Sequence, residues 1–298
     1  MNILITGANG QLGNEMRILS AKYPQHNYTF SDVLVPEDSP VTIHPLDITD
    51  RAAVQAFVHE HQIDLIVNCA AYTNVDKAEQ DERTASLINA DAVANLAQSG
   101  ARIIHVSTDY VFSGDEHLPC RENDPVAPRT AYGRTKLVGE QLLMAQRPDS
   151  IIFRTAWLYS EFGTNFVKTM IRLGQTKEQI GVVYDQIGTP TYALDLAEAI
   201  YAAINAPEWH PGIYHYTNEG VCSWYDFTLA IHEVYNMLIA HGMKQGEPIR
   251  CQVRPILSEE YQYLTPRPHY SVLNKAKVKQ TFAIQIPHWR DSLIACLK

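Results

Sequence analysis

The chain has 298 residues, 24 Lys plus Arg against 33 Asp plus Glu for a formal charge of −9, and 46% apolar residues. That length can bury a sizeable core and that apolar content offsets ordering entropy, so a disordered chain is excluded; the acidic balance argues against nucleic acid or an anionic membrane as a main partner, since those contacts use clustered Lys and Arg. No run reaches the roughly 18 apolar residues of a membrane span, residues 1–8 read as a strand with no cationic leader region, and the five scattered Cys form neither a disulfide framework nor a zinc pattern, so a cytoplasmic protein acting on a small ligand is expected.

In chain order, strands are expected at 2–6, 28–31, 41–44, 65–69, 102–107 and 150–154, with helices opening near Gln11, Asp50, Arg83 and Thr130. The alternation predicts an α/β fold with a doubly wound parallel sheet of Rossmann type. Ile3-Leu4-Ile5 and Leu65-Ile66-Val67 are apolar throughout, as when helices cover both sheet faces. After about Ala156 the rhythm weakens. Helical patterns at 165–173, 192–204 and 223–241 indicate a smaller α/β substrate-binding domain over 156–298, beside a cofactor domain of 1–155. Residues 213–216, within a stretch of about 180–216, are expected to return to the main sheet. Pro255, Pro266, Pro268 and Pro287 predict loops folded over a cleft in place of regular layers.

Gly7-Ala8-Asn9-Gly10-Gln11-Leu12-Gly13 follows a strand and opens a helix, the context a dinucleotide loop requires. Glycines permit the tight turn, and the helix N-terminus offers N–H groups to a pyrophosphate. Asp32, at the end of the second strand, is placed to accept from the adenosine ribose hydroxyls and to repel a 2′-phosphate. Asp47 and Ile48 follow the third strand, where an adenine would lie. Ala70, Ala71 and Tyr72 follow the fourth, where small residues leave the cofactor room.

Tyr132 and Lys136 are four apart and share one helix face. A neighbouring ammonium would lower the phenol's pKa, making Tyr132 a general acid. Thr108, at the end of the fifth strand, puts a hydroxyl within reach of a cleft-bound carbonyl.

These residues resemble the extended short-chain dehydrogenase/reductase superfamily, and within it the dTDP-4-dehydrorhamnose reductases. The resemblance is carried by T-G-x-x-G-Q-L-G at 6–13, V-N-C-A-A-Y-T-x-V-D-x-A-E at 67–79, S-T-D-Y-V-F at 107–112, Y-G-x-T-K at 132–136, R-T-A-W-L-Y at 154–159, Asn165-Phe166, D-Q-x-G-x-P-T at 185–191 and R-P-x-x-S-x-L at 267–273. It implies that Thr108, Tyr132 and Lys136 form a catalytic triad, with Lys136 also on the nicotinamide ribose. It further implies that Thr108, Asp109, Trp157 and Asn165 meet the substrate and that Arg267 helps bind the nucleotide diphosphate. NADPH or NADH would be the cofactor. Some members are homodimers and some are magnesium-dependent, with Glu15 belonging to the acidic feature concerned; the sequence by itself supports no metal site, and leaves monomer or homodimer open. The reaction implied is reduction of dTDP-4-dehydro-L-rhamnose to dTDP-L-rhamnose. Rival readings are another 4-ketosugar reductase or epimerase, and a non-catalytic nucleotide-binding regulatory subunit. A dehydratase is disfavoured because Asp109 is followed by Tyr110, where that activity uses Glu.

His59-Glu60-His61 lacks a third ligand and sits two apart on a helix, so it reads as a solvated face. The sequon Asn27-Tyr28-Thr29 reads as coincidence.

Overall fold

The computed structural model describes residues 1–35, 41–262 and 264–298. Its central sheet has seven parallel strands: β1 (Asn2–Thr6), β2 (Asn27–Asp32), β3 (Ile43–Pro45), β4 (Leu65–Asn68), β5 (Arg102–Thr108), β6 (Ile151–Thr155) and the Gly212–His215 strand. From one edge the order is Gly212–His215, β6, β5, β4, β1, β2, β3. The order reverses between β4 and β1, so the loops leaving their C-terminal ends part and open a crevice there.

The uninterrupted apolar strands follow from burial on both faces. Alternation sends Ile3 and Ile5 into a core with helix α1 (Gln11–Ser20) and the Ala193–Ile204 helix, and Leu4 into another with Val54, Val58 and Val93. The helices begin where side chains satisfy their first N–H groups: Asp50 accepts from Ala53, Thr130 from Gly133, and Asn165 from Lys168.

The strand at Gly212–His215 pairs with β6 in parallel register, Ile213 opposite Ile152. A third core gathers Tyr159, Met170, Phe227, Ile231, Trp289 and Leu293 among the Phe166–Thr176, Trp224–Ala240 and Trp289–Leu297 helices.

The C-terminal part corrects the expectation of loops alone. Gln252–Ile256 is a strand paired in parallel with Gln179–Val183, and Ala276–Phe282 and Trp289–Leu297 are helices. Pro255 is tolerated because this sheet has only two strands, leaving its missing N–H on an open edge. Pro287 lies outside the Trp289–Leu297 helix, one residue before its cap His288, and so interrupts no helical hydrogen bond. No described helix is long and apolar enough to cross a membrane.

Candidate active site

Three adjoining cavities of about 530, 560 and 640 Å³ run along the C-terminal ends of the strands. The first and second share Gly10, Cys69 and Ala71; the second and third share Asp109, Tyr110, Trp157 and Trp224. They form one trench.

Gly7, Gly10, Asp32, Asp47, Ile48 and Ala70 line the first cavity, with Ala71 at its junction. Gly7 has φ +65°, and a Cβ there would lie 2.6 Å from Ala70 N. Gly13 lines none of these three cavities; a Cβ on it would overlap the Gly7 carbonyl, so its bareness lets helix and loop pack. The carboxylate of Asp32 accepts from Asn9 N at 2.9 Å and Leu34 N at 3.3 Å, so it braces the glycine loop as well as facing the cavity. Tyr72 is not on the trench wall. Its ring packs with Ala78, Ala85 and Ala131, and its backbone is clamped by Asn89, which accepts from Tyr72 N and donates to Tyr72 O. Asn89 lies in a π-helical turn, Leu87–Asp91, which periodicity in the sequence does not mark.

The second cavity brings together Gln11, Leu12, Thr108, Tyr132, Lys136 and Asn165. Asn165 belongs here rather than with the third cavity. It donates to Gln11 Oε1 at 2.9 Å and so ties its own helix to the glycine loop. Thr108 Oγ1 donates to Asp109 Oδ1 at 2.9 Å. Burial pushes Asp109 up to about 7, against the lowering hydrogen bonds of Thr108 and Ser271.

Lys136 Nζ donates to Val106 O at 2.7 Å and lies 3.2 Å from His105 Nε2. Burial pushes it down to about 8, against the raising influence of Glu140. The phenol of Tyr132 is not lowered as its spacing from Lys136 suggests. Burial drives it up to about 12, with the Thr108 hydroxyl opposing and Asp109 reinforcing. The hydrogen-bond partners of Lys136 Nζ are the Val106 carbonyl and the His105 ring, both of β5, so they draw it toward the strand and away from the phenol.

The third cavity is walled by aromatic rings. Trp157 stacks on Trp224 with ring centroids 3.4 Å apart, and Phe166 tilts against Trp224 at 4.3 Å. Trp157 itself has φ +49°, an uncommon backbone state for a bulky residue. Arg267 lines the same cavity and pairs with Asp76 at 2.8 Å. Sequence reading missed Phe166, Trp224 and Asp76 as wall residues; each lies far along the chain from the triad, and only folding brings them there.

The loop, the helix N-terminus and the space above them fit a dinucleotide. Gly7 and Gly10 would hold its phosphates, Asp32 and Asp47 its adenosine end, and Lys136 its nicotinamide ribose. Magnesium fits less well. The carboxyl of Glu15 is buried and pushed up to about 8, first by burial and then by Glu161. No group of three or more His, Cys, Asp or Glu among the described residues could hold a metal ion.

A doubly wound sheet with a glycine loop at its switch point and a Thr, Tyr and Lys cluster beside it defines an extended short-chain dehydrogenase/reductase. The chain matches the RmlD substrate binding domain family over residues 1–298. It is 41% identical to the dTDP-4-dehydrorhamnose reductase of Clostridium acetobutylicum, covering 100% of this chain and 98% of that one with a TM-score of 0.87. It is 37% identical to the Bacillus anthracis dTDP-4-dehydrorhamnose reductase solved in complex with NADP, covering 99% and 98% with a TM-score of 0.82. It is also 42% identical to a probable dTDP-4,6-dihydroxy-2-methyloxan-3-one 4-ketoreductase of Streptomyces antibioticus, covering 98% and 93%. The chain belongs to the family of the dTDP-4-dehydrorhamnose reductases.

Proposed function

We propose that the chain reduces the C4 keto group of dTDP-4-dehydro-L-rhamnose to dTDP-L-rhamnose with NADPH or NADH, in nucleotide-sugar biosynthesis. The observation that carries this reading is the convergence of Thr108, Tyr132 and Lys136 on one cavity between the glycine loop and the aromatic chamber. When bound, the reduced nicotinamide supplies hydride. Tyr132 gives its proton to the carbonyl oxygen, and Thr108 orients that oxygen by hydrogen bonding. Asp109 and Trp157 bear on the sugar, and Arg267 on the diphosphate, exchanging part of its pairing with Asp76. Residues 1–155, with the returning segment of about 180–216, serve the cofactor, and 156–298 mainly the substrate. Five free cysteines suit a reducing cytoplasm.

The test is incubation with dTDP-4-dehydrorhamnose and each reduced cofactor, followed by identification of the sugar. About one NAD(P)H should be consumed per keto-sugar reduced, as net hydride transfer demands. Product without cofactor consumption would point to an epimerase, and no product from any keto-sugar to a regulatory subunit. A second reading, reduction of a different dTDP-4-ketosugar, is supported by the 42% identity to the Streptomyces ketoreductase; the stereochemistry of the product separates the two.

A further inference from the structure

Gly188 is buried in the short strand Ile187–Gly188, which is held on both edges. On one side Cys222 pairs opposite Gly188 in antiparallel register. On the other, Ile187 N donates to the His269 carbonyl at 2.7 Å and Ser271 N donates to the Ile187 carbonyl at 2.8 Å. The φ of Gly188 lies outside the left-handed range, so the backbone at this position asks for no glycine. The space does. A Cβ on Gly188 would lie 2.6 Å from Cε2 and 2.7 Å from Cζ2 of Trp157, and 2.6 Å from Ser271 Oγ. Neither Nε1 of Trp157 nor any atom of Trp224 comes nearer than these, so Gly188 covers the six-membered ring on the face turned away from Trp224.

The other face of the indole rests on Trp224, with the two rings 7° from parallel. Trp224 opens the Trp224–Ala240 helix and is itself backed by Phe166 at 4.3 Å. The backbone of Trp157 adds a third restraint: its φ of +49° is strained for a bulky residue and is held by Thr191 N, which donates to the Trp157 carbonyl at 3.1 Å. Strand, helix and backbone all fix one indole, and that indole stands where the second and third cavities join.

We propose that Gly188 is a positioning residue: its bare backbone seats the Trp157 indole flat against Trp224 and so sets the width of the trench between the catalytic cavity and the aromatic chamber. A side chain at 188 requires the ring to retreat by about 1 Å to reach the roughly 3.5 to 4.0 Å at which carbons rest. The strand is paired on both edges and Trp224 stands behind the ring, so the indole gives way into the trench. The consequence for turnover rests on the reductase reading; the seat of the indole does not.

The experiment is NMR on the full chain 15N-labelled at tryptophan, which has four indole N–H signals, with Trp157→Phe and Trp224→Phe assigning the pair. Gly188→Ala should shift the Trp157 and Trp224 signals together, as their mutual ring currents change, and leave that of Trp209, which packs against Arg102, in place. Unmoved Trp157 and Trp224 signals overturn the proposal. In the assay, Gly188→Ala should raise the KM for dTDP-4-dehydrorhamnose by about 10 to 10²-fold, the scale on which misplacement by about 1 Å is felt. Because Tyr132, Lys136 and the glycine loop are untouched, kcat and cofactor affinity should stay near native. In a Trp157→Ala background the same substitution should leave KM where it is, because the displaced ring is gone; an equal rise in both backgrounds traces the effect to Ser271 or the strand and overturns the proposal. If Gly188→Ala does not fold by itself, recovery of the fold on adding Trp157→Ala supports the proposal, and no recovery overturns it. A native chain that turns over no keto-sugar fails the reductase reading, while the NMR signals still decide the seat of the ring.

Discussion

Tyr132 stands between two environments: the open trench, where a carbonyl would be protonated, and a buried wall that drives its phenol up to about 12. A phenol so held is a proton donor at neutral pH. Tyr132→Phe removes the donor and leaves the glycine loop and Lys136 in place, so kcat should fall by about 10² to 10⁴ while cofactor affinity, read by fluorescence titration, stays near that of the native chain. Asp32 makes a subtler case. Its carboxylate lines the adenosine cavity while accepting from Asn9 N and Leu34 N. Asp32→Ala should shift the ratio of kcat/KM values toward NADPH by removing the charge, and should weaken both cofactors somewhat by loosening the loop. An unchanged ratio would place the 2′ position elsewhere.

At the scale of elements, the helix at Ala131–Gln146 carries both Tyr132 and Lys136, and its attachment to the sheet is ionic as well as apolar. Glu140 and Arg154 of β6, each 3% exposed, meet through hydrogen bonds of 2.6 to 3.2 Å. Arg154 also lies over the Phe112 ring at 5.3 Å. Glu140→Ala leaves a buried guanidinium without its counter-charge, which costs about 3 to 5 kcal/mol. Chemical denaturation should show a loss of that size, whereas replacing both partners with apolar residues of similar volume should recover most of it. A Glu140→Ala chain as stable as the native one would mean that water or another acceptor reaches Arg154.

Over the whole molecule, buried ionisable groups link stability to pH with opposing signs. His215 is pushed down to about 3 by burial and by Arg154, against an ordinary value near 6.5. Between those values the unfolded chain binds the extra proton, so this group's contribution is fully present above about pH 6.5 and is lost as pH falls toward 3. Asp109 and Glu15 are raised, to about 7 and about 8, so the folded chain holds their protons and their contribution runs the other way, falling as pH rises from about 4 to 8. The difference between native and His215→Gln stabilities isolates the histidine. Measured by thermal unfolding, the native chain's Tm should decline more steeply than the variant's between pH 6.5 and 4; parallel curves would show that His215 titrates normally.

The sequence by itself determined the sheet, because period, strand composition and capping residues are local: residues 2–6 were placed to the residue, and Asp50 and Thr130 stand where their helices open. It also marked the glycine loop and the Tyr and Lys pair, whose spacing of four is meaningful on any helix. Only the tertiary structure decided what those residues face. Gly13 closes the glycine loop and Tyr72 follows the fourth strand, yet Tyr72 packs into a side core and Gly13 beneath a backbone turn. Asn165 proved to hold Gln11, 154 positions away. Lys136 meets His105, and His105 meets Asn68, on strands whose apolar runs announce burial but not a polar line across them. A pKa and a hydrogen-bond direction are set by neighbours within a few ångströms, and in a parallel sheet those neighbours come from strands separated by a whole crossover connection.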